Sequence, residues 1–76
     1  MPKASKEKVM ERIAYIISLL SEGGKRPIEL KRELKVDYAT VMRYLNYLRK
    51  KGVIEKIPYG KTNKIRFTPK FLELIK

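Results

Sequence analysis

Apolar positions recur along the first part of the chain at helical spacing. Val9, Ile13, Ile16, Ile17 and Leu20 fall at i, i+4, i+7, i+8 and i+11, one face of an amphipathic helix. That helix is expected over about Ser5 to Glu22, with Ser5 as N-cap and Gly23-Gly24 as its stop. Residues 1–5 are expected to be flexible. Pro27 suits the first turn of a second helix, to about Lys35, with Ile28, Leu30 and Leu34 apolar. Asp37 is a good N-cap for a third helix, Tyr38 to Lys51, which stops at Gly52. Its core positions are Val41, Leu45 and Leu48, with Tyr44 beside them. The two helices are only a few residues apart, so they read as a helix-turn-helix.

The period then changes. Val53 to Ile57 reads as a strand, Pro58 to Asn63 has turn chemistry, and Lys64 to Thr68 alternates, with Ile65 and Phe67 inward. Thr68 and Pro69 open a short last helix, to Lys76. The predicted fold is mainly α with a β-hairpin: three helices, two strands, one helix. Seventy-six residues allow a single domain, 1–76.

Charge sharpens this picture. The chain holds 19 Lys plus Arg against 8 Asp plus Glu, a net +11. Residues 25–70 carry 14 bases and four acids, so nearly all of the excess lies there. A basic zone of this density suits a polyanion, because each phosphate neutralised releases counterions. There is no Cys and no His, which removes disulfides, thiolate metal sites and the commonest general base. Glu29 and Glu33 stand four apart among Lys31, Arg32 and Lys35, as on a salt-bridged helix face. No acid–base or nucleophile constellation appears, so an enzyme, a metal and a cofactor are not expected. No apolar run is long enough for a membrane span, and the N-terminus lacks a signal-peptide pattern, so a cytoplasmic, nucleoid-associated place is expected. The lack of Cys, His, Trp and Gln beside many Lys and Ile hints at a hot-growing source.

The stretch from Val36 through Asp37 and the third helix to Lys51-Gly52-Val53-Ile54 resembles winged helix-turn-helix regulators of bacteria and archaea, of the broad MarR, ArsR and PadR sort. Those families have a cap residue, a V-x-x-x-L-x-x-L helix and a K-G-hydrophobic-hydrophobic exit at this spacing. Arg66-Phe67-Thr68-Pro69-Lys70 is similar to their strand-to-helix junction, with Phe71 where they usually place glycine. The chain departs from them at Lys31, where a small alanine is common, and in lacking long flanking helices.

The resemblance implies duplex DNA as partner, with the third helix, 38–51, in the major groove and the wing, 58–64, on the flanking backbone. Tyr38, Ala39, Met42, Arg43 and Asn46 are then expected to face outward. Arg43 is the strongest candidate for a bidentate pair with guanine, and Asn46 for adenine. Ala39 and Met42 offer apolar contact to a thymine methyl. Thr40 and Tyr38 are candidate phosphate donors, as are Arg49 and Lys50. In the wing, Lys61, Asn63, Lys64 and Arg66 are expected on the backbone. Lys25 and Arg26 precede the second helix, whose N-terminus is a natural phosphate site. Met10, Tyr15, Leu19, Phe71, Leu72, Leu74 and Ile75 exceed what a single small core hides, and a homodimer through the first and last helices is expected. Tyr47 either packs against the hairpin or joins an interface. Competing functions are non-specific chromatin or RNA binding, and a winged helix that binds protein. The variant that binds left-handed duplexes is excluded, because it uses a wing Trp and this chain has none.

Overall fold

The computed structural model describes residues 6–75, with side chains from Lys8 onward. The expected Ser5 cap, the 1–5 segment and Lys76 lie outside the described residues. The elements are α1 (Lys6–Leu20), α2 (Pro27–Leu34), α3 (Tyr38–Lys50), β1 (Ile54–Tyr59), β2 (Thr62–Phe67) and α4 (Pro69–Leu74). This is the winged helix-turn-helix order. Among the described residues, no helix is long and apolar enough to cross a membrane.

The core collects one face from each of the longer elements. Ile13, Ile16, Leu19 and Leu20 come from α1, Leu30 from α2, and Val41, Tyr44, Leu45 and Leu48 from α3. Ile54, Ile65 and Phe67 of the hairpin close it. Leu19, expected outside the main face, is only 7% exposed. Three residues after Ile16, it still reaches the same side, because the apolar arc of α1 is wider than one stripe. In α2, Ile28 is exposed and the ring of Pro27 is buried in its place.

Helix ends are set by local chemistry. The Arg26 backbone N–H donates to Glu29 Oε1 at 2.9 Å and opens α2, while Asp37 Oδ1 accepts from the Thr40 N–H at 3.1 Å and opens α3. Each fills an orphan bond of a first turn. α2 stops at Lys35, which takes the left-handed conformation at φ 57° and returns its N–H to the Lys31 carbonyl at 2.9 Å. α1 ends at Leu20, two residues before the expected Glu22, in a turn over Ser21 and Glu22.

The hairpin is longer than its sequence pattern. β1 and β2 pair antiparallel from Ile54↔Phe67 to Tyr59↔Thr62, so the turn is Gly60-Lys61 alone. Gly60 at φ 61° supplies the positive first torsion of a two-residue turn. Pro58 therefore lies within β1, which is tolerated because that strand is an edge. The other side of β2 is held by Lys25, which exchanges two backbone hydrogen bonds with Ile65 at 3.0 and 2.7 Å.

Thr68 joins the end of the wing to the end of α3. Its hydroxyl donates to the Gly52 carbonyl at 2.6 Å and accepts from the Phe71 N–H at 3.1 Å, capping α4. The Phe71 ring then lies 5.0 Å from that of Phe67.

Candidate nucleic-acid interface

With Val41, Tyr44, Leu45 and Leu48 buried, the opposite side of α3 carries Ala39, Arg43, Asn46 and Lys50. Their spacing of four, three and four residues makes one stripe at helical period. All four are exposed, and among the described residues neither Arg43 nor Lys50 has an ion-pair partner within 4.0 Å. Tyr38 and Arg49 are exposed on the flanks of this stripe. Two expected contact residues, Met42 as an outward one and Thr40 as a phosphate donor, are less exposed. Met42 is half-buried and packs against the core, since it lies roughly a quarter-turn from the stripe's centre, towards its own buried neighbours. Thr40 is half-buried, its backbone engaged by Asp37.

The Asp37 carboxyl is held below its ordinary value, first by the hydrogen bonds from Thr40 and then by the nearby Arg43 charge. The Glu29 carboxyl is lowered as well, chiefly by the Arg26 N–H. Both stay ionised while they cap, which favours a helix N-terminus.

In the wing, Lys61 stands exposed at the turn and Asn63 is exposed beside it. The Lys64 ammonium lies 4.1 Å from the centre of the Tyr59 ring, a cation–π contact that holds its direction. Arg66 is paired with Glu55 at 2.7 Å. Ahead of α2, Lys25 pairs with Glu22 at 3.5 Å and Arg26 with Glu29 at 3.4 Å. These three cations therefore begin with an acid beside them, which the count of charges along the chain does not reveal. Such exposed pairs are worth little, about 0–1 kcal/mol, and yield readily to a phosphate. Lys56 of β1 and Lys70 of α4 are also exposed and were not among the expected contacts.

The seven residues expected on a dimer face are not brought together. Leu19 is in the core, and Phe71 packs on Phe67. Met10 and Tyr15, five residues apart on α1, point roughly 140° apart around its axis. Met10 lies beside α3, whereas the Tyr15 hydroxyl donates to Glu33 Oε1 of α2 at 3.4 Å. Leu72, Leu74 and Ile75 remain as an exposed apolar group at the end of α4. Tyr47, left open between hairpin and interface, lies on the side of α3 that faces α1.

The fold has close solved counterparts. A hypothetical protein, PyrSV_gp04 of Pyrobaculum spherical virus, superposes with a TM-score of 0.79 at 17% identity, over 93% of this chain and 46% of that one. The transcriptional regulator BldR of Sulfolobus solfataricus gives 0.74 at 19% identity, over 86% of this chain and 49% of its own. The homodimeric winged helix-turn-helix DNA-binding domain of Mb0332 from Mycobacterium bovis gives 0.69 at 18% identity, over 97% and 82%. The chain thus spans about half the length of the first two. No curated protein sequence matches. Residues 8–73 match the family model described as the sugar-specific transcriptional regulator TrmB, and with almost the whole described chain inside that match, the protein belongs to the TrmB family of transcriptional regulators.

Proposed function

We propose that the protein binds duplex DNA sequence-specifically through the outer stripe of α3, as a cytoplasmic, nucleoid-bound regulator. The observation that carries this reading is the stripe itself: Ala39, Arg43, Asn46 and Lys50, exposed, with no ion-paired acid among the described residues, within a segment of net charge +10. Arg43 and Asn46 carry the two side-chain types that pair bidentately with guanine and adenine. Ala39 meets bases near the helix N-terminus, and Tyr38, Thr40, Arg49 and Lys50 meet phosphate. Lys61, Asn63 and Lys64 follow the flanking backbone, with Tyr59 holding Lys64 in place. Lys25, Arg26 and Arg66 join after releasing their acids. Two copies associate through Leu72, Leu74 and Ile75; that the Mb0332 domain is homodimeric supports the pairing of two copies.

The test is fluorescence anisotropy with a random-sequence duplex at several salt concentrations, together with selection of preferred sites from the same pool. A steep salt dependence and an enriched, roughly palindromic site are expected. A steep dependence without enrichment replaces this reading with non-specific chromatin binding. Weak binding at low salt replaces it with a protein-binding winged helix. Within a selected site, Arg43→Ala is expected to cost about 1–3 kcal/mol and to relax the base preference there. Lys61→Ala is expected to weaken all sequences alike and reduce the salt slope by about one.

A further inference from the structure

The end of α4 is an acid between apolar side chains. Phe71 turns inward, its ring 5.0 Å from that of Phe67. Successive helical residues step by roughly 100° around the axis, so Glu73 stands opposite Phe71 with Leu72 and Leu74 on either side of it. Leu72, Glu73, Leu74 and Ile75 are all exposed. Residues 56–72 hold five bases and no acid, yet Glu73 has no ion pair within 4.0 Å among the described residues. Elsewhere on the surface lies the complement. α1 and α3 leave a groove of about 630 Å³ between them, with apolar walls that include Met10 and Tyr47 and with no carboxylate of the described residues lining it. Arg12, also in the groove, is half-buried and donates from Nη1 to the Tyr44 hydroxyl at 3.0 Å. That bond uses one of five guanidinium donors and orients the rest. The groove thus offers apolar surface and a fixed cation, and it lacks an acid. None of the described α4 residues lines it, so a chain does not fill its own groove.

We infer that the α4 end of one copy seats in the α1–α3 groove of a second copy. Leu72 and Leu74 leave water against the second copy's Met10 and Tyr47, and Glu73 pairs with its Arg12. Two such contacts, exchanged reciprocally, close a two-fold dimer. This rests on the pairing of two copies proposed above and names the surface that covers the α4 end. Met10 and the α4 end, which one chain holds apart, meet across two chains.

The test is sedimentation of the full chain at micromolar concentration, as wild type, as Leu74→Glu, as Met10→Asp, and as an equal mixture of the two variants. Both replaced side chains are exposed, at 75% and 63%, so each variant keeps its core, which thermal unfolding checks. The wild type is expected as a two-chain species and each variant alone as a 9.0 kDa monomer. The mixture is expected to recover a two-chain species, because one variant supplies an intact α4 end and the other an intact groove. Only one of the two contacts survives in it, so it dissociates at a concentration about tenfold higher than the wild type, or more. Glu73→Gln is expected to weaken the wild-type association several-fold, and indifference to it overturns the pair with Arg12. A Met10→Asp chain that still dimerises while Leu74→Glu does not overturns the groove as the seat and leaves α4 against α4. A mixture that stays monomeric overturns the exchange as well. A wild type that sediments as a monomer overturns the pairing of copies itself, and this inference with it.

Discussion

Thr68 shows how much a single side chain arranges here. One hydroxyl donates to the Gly52 carbonyl and accepts from the Phe71 N–H, so it fixes the exit of α3, the end of the wing and the start of α4 together. Thr68→Ala removes a cap and leaves a half-buried carbonyl short of a donor. It is expected to lower unfolding stability by about 1–2 kcal/mol in urea, with Thr68→Ser recovering most of it. Gly52 depends on its backbone rather than on a side chain: at φ 77° it sits in the left-handed region, which an L side chain enters only with strain. Arg43 is the opposite case, a side chain without an ion-paired partner among the described residues. Its value lies in what it meets outside the chain.

At the scale of elements, the helix-turn-helix is held by carboxylates at helix starts. Glu29 and Asp37 have lowered folded pKa values because backbone N–H groups stabilise their charged forms. A group depressed in the folded state adds stability above its unfolded pKa and loses it as pH falls through the folded one. Stability to denaturant is therefore expected to be level near neutrality and to fall below about pH 4, the ordinary carboxylate range. Asp37→Asn should flatten part of that fall, since Asn still caps without titrating. A profile unchanged by Asp37→Asn would remove Asp37 from this account. The wing is paired to its last residues: the strands reach Tyr59 and Thr62, and Lys25 bonds β2 from its other side. The single exposed turn Gly60-Lys61 is what the hairpin presents at its tip.

For the whole molecule, the distribution of apolar residues separates folding from association. Leu19 is 7% exposed and Leu74 is 75% exposed. Leu19→Ala is expected to destabilise the monomer by about 2–5 kcal/mol, through lost burial and a cavity. Leu74→Glu is expected to leave the unfolding midpoint of the isolated chain within a few tenths of a kcal/mol and to shift a micromolar dimer to a 9.0 kDa species in sedimentation. A wild-type chain that already sediments as a monomer would remove the α4 interface. Charge acts at this scale too. With +11 on 76 residues, the field draws polyanions over long range and fades with salt.

The order of elements was legible in the amino acids, because helix and strand periods, caps and breakers act over a few residues. Val41, Tyr44, Leu45 and Leu48 follow from spacing alone, and so does the outer position of Arg43 and Asn46. The hairpin's length was not legible. Pro58 and Thr62-Asn63 carry turn chemistry, and only the pairing of β1 with β2 draws them into strands. Nor was the fate of Leu19, Met42 and Phe71, which local period leaves off the main faces and which neighbouring elements cover. The expected dimer face dissolved for the same reason: counting apolar residues ignores direction, and Met10 and Tyr15 turn towards different helices. The acid partners of Lys25, Arg26 and Arg66 join residues across the hairpin or depend on rotamers. Local sequence decides what each segment becomes, whereas packing decides which side chains it leaves for a partner.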